Sequence, residues 1–243
     1  MIAVFGASGL LGSEVTYQAL KQGHKVVAFV RDPSKLTVPK GSGGDEAGKP
    51  LTGDNLKIVQ GSVTNLEDVD KAFADGDVTS VVVSLGGRTS KVGKTMLTDG
   101  TTNIINAMKA HNVKRIAVVT SIGVGDSYSQ APFAFRMLMN TVMRVMIADK
   151  NNQEALFTSA DGIGKDLDYV IVRPGGLTVE KPTGVINVID GQAGSIARAD
   201  VADFILGAVL DNAFPYLRKA PCISSVGGTG WTKDRSASAR GEM

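Results

Sequence analysis

The stretch GASGLLG, residues 6–12, follows the apolar run IAVF, residues 2–5, and opens a helical pattern. Apolar residues at Leu11, Val15, Ala19 and Leu20 carry the helical spacing, and Gly23 reads as its stop. Strand, glycine-rich turn and helix in this order form a receptor for a pyrophosphate. Gly6 permits the tight turn off the strand. Gly9 keeps side-chain atoms away, so that backbone N–H groups can approach phosphates, and Gly12 lets the helix pack closely on the sheet. The helix start at Leu10 and Leu11 adds unpaired N–H donors and a positive dipole end, and Ser8 offers a hydroxyl. The spacing is G-x-x-G-x-x-G rather than G-x-G-x-x-G, so it argues for a dinucleotide only as the first turn of a βαβ pattern.

That pattern continues along the chain. Apolar, β-rich runs at 25–30, 56–59, 78–85, 115–120 and 169–173 alternate with helical spacing at 66–73, at 98–110 and from 133 onward. The alternation predicts an α/β fold: a Rossmann-type doubly wound parallel sheet with crossover helices on both faces. Continuous apolar strands such as VTSVVVSL, residues 78–85, suit strands covered on both sides. A single dinucleotide-binding domain is expected over 1–225, with a small C-terminal substrate lobe built mainly from 174–225. Residues 41–53, GSGGDEAGKPLTG, read as a flexible surface insertion, and 226–243 as a loosely ordered tail.

Composition narrows the function. A chain of 243 residues with 43% hydrophobic content can bury a sizeable core. The formal charge, 26 − 24 = +2, makes no case for nucleic acid or an anionic membrane as partner. A lone cysteine, Cys222, excludes an internal disulfide framework, fits a reducing compartment and reads as a buried small hydrophobe. With only His24 and His111 beside it, no ordinary His/Cys zinc site is expected. No apolar run approaches the roughly 18–20 residues that span a bilayer. The first apolar run is too short and glycine-broken for a signal peptide. A cytoplasmic location is expected, or an organelle stroma or matrix if a transit peptide has been removed. The expected partner is a small-molecule acceptor, and the expected state a monomer or homodimer.

The end of the second strand carries the dinucleotide preference. The position that reads the adenosine ribose lies about 20 residues beyond the glycines, and Arg31 stands there, followed by Asp32. A guanidinium donates in a fork to a 2′-phosphate and stacks on adenine, which favours NADP(H). Should Asp32 turn inward instead, its carboxylate would suit NAD(H). Ser34 and Lys35 are placed to assist at the same phosphate.

The motifs GASGLLG, VRDPSKL, QGSV, VTSIG, DLDYVIVRPGGL and RADVADFI together resemble the atypical short-chain dehydrogenase/reductase proteins of the NmrA-like, NAD(P)-binding type. Biliverdin-IXβ/flavin reductases and plant NAD(P)-binding oxidoreductase-like proteins are similar. The resemblance implies adenine contacts at Gly61, Ser62 and Val63, with Ser62 where the common pattern has Asp. It places Leu85, Gly86 and Gly87 beside the inner ribose. Thr120 and Ser121 fall next to the nicotinamide, and Pro174, Gly175 and Gly176 near its carboxamide. Arg198 and Asp200 of the RADVADFI segment are implied to be structural.

The catalytic pair departs from the family pattern. Better-known short-chain dehydrogenases use Tyr-x-x-x-Lys, and extended relatives often add a glutamate four residues on. Lys150 and Glu154 match the second step, but Met146 stands where the tyrosine would be. A thioether transfers no proton. Tyr128 is the nearest substitute, off the family spacing. Hydride transfer to a conjugated acceptor such as a quinone, flavin or tetrapyrrole survives this loss, because the resulting charge delocalises and solvent protonates it afterwards. Ser121 is the expected hydrogen-bond partner of the acceptor carbonyl, and Lys150 the expected holder of the ribose and of the developing charge. The alternative is a sensor or assembly factor that binds NADP(H) without turnover. Met139, Met143 and Met146 recur at helical spacing and read as core or a subunit contact, or as an acceptor pocket wall.

Overall fold

The computed structural model describes residues 1–87 and 93–234. Strand β1 (Ile2–Phe5) runs into helix α1 (Leu10–Lys21), then β2 (Val26–Val30), β3 (Leu56–Gln60), α2 (Leu66–Asp70), β4 (Ser80–Val83) and α3 (Met96–Ala110). Next come β5 (Arg115–Val119), α4 (Phe133–Asn140), α5 (Arg144–Thr158), β6 (Asp168–Pro174) and β7 (Gly176–Thr178). The chain continues with β8 (Ile186–Ile189), β9 (Ala193–Ala197), α6 (Arg198–Leu210), β10 (Cys222–Ser224), β11 (Val226–Gly228) and β12 (Trp231–Asp234).

Nine of these strands form one sheet in the order β12-β8-β10-β6-β5-β4-β1-β2-β3. From β3 to β10 every neighbour pairs in parallel, while β8 and β12 run antiparallel at the far edge. The half β3-β2-β1-β4-β5-β6 is the doubly wound Rossmann order, in which β1 pairs with β2 on one side and β4 on the other. A smaller sheet, β11-β9-β7, stands beside it. Alternate strand residues feed two cores. Val4, Ala28 and Val82 meet Val15 of α1 and Phe204 of α6 on one face, whereas Phe5, Phe29 and Val83 meet Ile104 of α3 and Phe157 of α5 on the other. Two buried polar contacts fix α5 on α3: the Asp149 carboxylate accepts the N–H groups of Leu97 and Thr98 at 2.9 and 3.0 Å, and Gln153 donates to Thr101.

Three stretches differ from the sequence reading. The helix expected from 133 is two helices, broken where the Thr141 hydroxyl turns back onto the carbonyls of Met137 and Leu138. The 41–53 stretch is not a loose insertion but a loop closed on the domain. Gly41 donates to Glu14 Oε1 at 2.9 Å, Thr37 bridges to Pro50, and Leu51 is buried. The tail expected from 226 onward contributes β11 and β12, and its remainder, 235–243, lies outside the described residues. Glycines on both strands serve close packing: a Cβ on Gly194 of β9 would stand 1.8 Å from the Val226 carbonyl oxygen, and one on Gly228 of β11 would stand 2.1 Å from the Gln192 carbonyl oxygen.

Candidate functional site

The sheet order reverses between β1 and β4, which opens a crevice at their carboxyl ends. A cleft of about 760 Å³ occupies that crevice. Its floor is the first glycine turn, with Gly6, Ser8, Gly9, Leu10 and Leu11 lining it. Gly6 has φ +85°, and a Cβ there would meet the Ser84 carbonyl oxygen at 2.4 Å. Gly12 does not line the cleft; it lies beneath, where a Cβ would stand 2.1 Å from the Gly6 carbonyl oxygen. Glycine at these two positions lets the turn, β4 and α1 converge.

Helix α1 begins without a side-chain cap and without an acidic residue in its first turn. The first N–H groups of a helix have no intrahelical acceptor, here no side chain caps them, and Leu10 and Leu11 of that first turn line the cleft. Such an end is built for an anion, and the residues present fit the diphosphate of a dinucleotide.

The end of the cleft next to β2 carries Arg31 and Lys35, with Ser62 and Val63 from the loop after β3. Asp32 is not among the lining residues; its carboxylate is folded into the turn that follows. Oδ1 accepts the Ser34 N–H at 3.1 Å and the Ser34 hydroxyl at 2.6 Å, and Oδ2 pairs with Lys35 at 3.2 Å. The Ser34 hydroxyl, then Lys35, hold this carboxyl below its ordinary pKa. Ser34 is thereby engaged, while Lys35 both pairs with Asp32 and lines the cleft. The Ser62 hydroxyl shares a hydrogen bond with Thr64 at 2.8 Å, and its N–H donates to Asp68. Gly61 lies outside the lining, because a Cβ there would collide with Phe29 and Asp68 in the packing behind it.

The loop after β4 adds Leu85, Gly86 and Gly87, and the inner end is formed by Thr120 and Lys150. Lys150 Nζ donates to the Thr120 carbonyl at 3.0 Å. Burial lowers the lysine pKa to about 8, against the opposing pull of Glu154 and Asp149. The Thr120 hydroxyl is turned away, donating to Glu154 Oε1 at 2.6 Å. Glu154 lies outside the cleft lining and pairs with Arg173. Ser121 is not brought into the lining either: it turns off β5 with its carbonyl accepting the Val124 N–H. Pro174, Gly175 and Gly176 also stay outside, with Gly175 wedged where a Cβ would stand 2.3 Å from the Gly194 carbonyl oxygen. Tyr128 is exposed on the segment before α4, its hydroxyl bonded to Asn140 at 2.8 Å, and does not reach the cleft. No tyrosine lines the cleft among the described residues.

Met96, Leu177 and Arg198 line the cleft although no motif reading placed them there. Nothing local marks Arg198, since its neighbours in the cleft come from β7, some 20 positions earlier. Among the described residues no group of three or more His, Cys, Asp or Glu is placed to hold a metal ion, and no helix is long and apolar enough to cross a membrane.

Residues 6–212 match the NAD(P)H-binding family. The chain belongs to it. Its motifs resemble those of atypical short-chain dehydrogenase/reductase proteins. An uncharacterized chloroplastic protein of Arabidopsis thaliana is 29% identical over 220 residues, covering 86% of this chain and 71% of that protein. Protein TIC 62, chloroplastic, of Pisum sativum is 27% identical over 75% of this chain, which spans 33% of the TIC 62 length. Among solved structures, a short-chain dehydrogenase/reductase of Veillonella parvula in complex with NADP superposes with TM-score 0.71 at 16% identity, over 93% of this chain and 94% of that one. ChuY, an anaerobillin reductase of Escherichia coli O157:H7, gives 0.67 at 24% identity, over 92% and 96%. These structural likenesses establish the Rossmann-like fold.

Proposed function

We propose that the protein is an NAD(P)H-dependent reductase, with NADP(H) its favoured dinucleotide, that passes hydride to a conjugated acceptor of quinone, flavin or tetrapyrrole type. The observation that carries this reading is the inner end of the cleft. Lys150 is held at the wall by the Thr120 carbonyl, and no tyrosine hydroxyl accompanies it among the described lining residues. A site so equipped orients and polarises but does not deliver a phenolic proton, which suits an acceptor that spreads charge over a ring system.

The dinucleotide, when bound, supplies hydride from its nicotinamide C4. The α1 amides receive the diphosphate, and Ser8 adds a hydroxyl. Arg31 and Lys35 receive the 2′-phosphate, while Asp32, spent on its own turn, presents no carboxylate to repel it. Lys150 holds the ribose hydroxyls and offsets the negative charge that grows on the acceptor. Ser121 stays outside the lining, so its proposed contact with an acceptor carbonyl requires the acceptor to project toward the β5 turn. The relatives lend support: ChuY is a reductase, and the Veillonella protein holds NADP. The test is direct. Purified protein, NADPH and a panel of quinones, flavins and tetrapyrroles should show NADPH oxidation above background with at least one class. Silence across the panel rejects a reductase.

A second reading is a dinucleotide sensor or assembly factor. One observation favours it: the hydroxyl of Thr120, the one predicted inner-end hydroxyl that belongs to a lining residue, is committed to Glu154 rather than to the cleft. Tight NADP(H) binding without turnover, together with a co-purifying protein, would select it.

A further inference from the structure

Among the described residues, four cationic side chains line the cleft, Arg31, Lys35, Lys150 and Arg198, and no carboxylate does. The proposed function uses the first three. Arg198, the first residue of α6, stands on the wall formed by β7, next to Leu177. Its Nη1 donates to the carbonyls of Thr178 at 2.9 Å and Leu177 at 3.4 Å. These bonds fix the plane of the guanidinium by one nitrogen. The Nε–Nη2 edge makes no hydrogen bond among the described residues.

The acidic side chain that acts on Arg198 is Glu14 of α1, and neither of its carboxylate oxygens is bonded to the guanidinium. Glu14 Oε1 is taken by the Gly41 N–H, and Oε2 is buried without a partner. Burial lowers the Arg198 pKa while Glu14 acts in the opposite direction. A purely structural arginine would commit its Nε–Nη2 edge as well as Nη1 to protein acceptors, because a half-buried cation without an ion pair is costly. Arg198 instead keeps that edge open in a cleft that no acidic side chain lines among the described residues. That edge matches the geometry of a phosphate or carboxylate.

We infer that Arg198 is an oxyanion receptor of the cleft, gripping an anionic group of the bound ligand through its Nε–Nη2 edge. The inference rests on the dinucleotide-binding reading above and goes beyond its motif residues. Two groups share the required chemistry. One is the dinucleotide's own diphosphate, clasped between Arg198 and the α1 amides. The other is a carboxylate on the acceptor, seated against the β7 wall.

The experiment uses the full chain and two variants, Arg198→Met and Arg198→Lys. Calorimetry measures NADPH and 2′-AMP, a probe that keeps the adenosine 2′-phosphate and lacks the diphosphate. Steady-state rates compare a neutral naphthoquinone with its carboxylated counterpart. If the diphosphate is the ligand, Arg198→Met weakens NADPH about tenfold or more and leaves 2′-AMP unchanged. If the acceptor carboxylate is the ligand, NADPH affinity holds while KM for the carboxylated quinone alone rises about tenfold. In either case Arg198→Lys, which keeps the charge and loses the fork, falls between. Folded variants that bind NADPH as the unaltered protein does and treat both quinones alike overturn the inference. So does an equal loss of NADPH and 2′-AMP, which marks a structural role. Should Arg198→Met not fold, Arg198→Lys decides by the same comparisons. Failure of the parent reading shows separately, as an unaltered protein that binds no dinucleotide.

Discussion

Arg173 Nε donates to Glu154 Oε1 at 3.0 Å, and both side chains are at most 5% exposed. The same carboxylate oxygen accepts the Thr120 hydroxyl at 2.6 Å, and Asp126 meets the guanidinium from the surface. Burial works against the Arg173 charge, but hydrogen bonds and charge from Glu154, then Asp126, raise its pKa above the ordinary value. Glu154→Ala leaves that guanidinium buried without its main partner. The expected loss is about 3–5 kcal/mol of folding stability in a urea titration, against a small fraction of that for the exposed Asp126→Ala. Equal effects from the two variants would mean that the buried pair is not what holds β6 to α5.

The pH profile follows from Lys150. Its ammonium is intact below about 8 and lost above, because burial lowers its pKa from 10.5 to about 8. The kcat/KM for the acceptor should therefore fall as pH rises through about 8, and Lys150→Arg, which stays charged, should flatten that fall. Stability moves the other way. An unfolded lysine keeps its proton up to the model-compound range, so the folded state gains relative stability as pH climbs from about 8 toward 10.5. A rate that rises across the same interval would contradict the role given to the ammonium.

Arg31→Glu reverses charge at the end of the cleft proposed to receive the adenosine 2′-phosphate. Calorimetry should show NADPH weakened by about 30-fold or more, equivalent to roughly 2 kcal/mol, with NADH much less affected. Parallel losses for both dinucleotides would place the selector elsewhere.

Tyr128 tests the missing acid. Its hydroxyl is bonded to Asn140 outside the cleft. On the proposed reductase reading, Tyr128→Phe should leave kcat within about twofold of that of the unaltered protein, since a group outside the cleft does not donate to an acceptor bound in it. A loss of a hundredfold or more, about 2.7 kcal/mol of barrier, would make it the proton donor after all.

The sequence disclosed the Rossmann half because β1, its turn and α1 announce themselves locally, through a change of period and two glycines that sterics require. Lys150 was legible through its four-residue step to Glu154, although the step itself belongs to two environments: Lys150 faces the cleft and Glu154 the buried Arg173 pair. Spacing could not tell Arg31 from Asp32, because which of two adjacent side chains turns inward depends on the turn that Ser34 makes with Asp32. The 41–53 and 226–234 stretches were misread for one reason. Glycine-rich composition looks like freedom, while here it permits contact with Glu14 and with β9. Arg198 was invisible as a cleft residue because its setting is assembled from β7 and α1, distant in the chain.

The hairpin-tight latch at Asp32 has an implication for engineering. A carboxylate already stands one residue from the guanidinium, tied down by a neighbouring hydroxyl and amine. On the proposed NADP(H) preference, turning this crevice toward a ribose that bears no phosphate would need no imported acid. Cutting the tether, with Ser34→Ala and Lys35→Ala, and shortening Arg31 would set free the one that nature has left folded away.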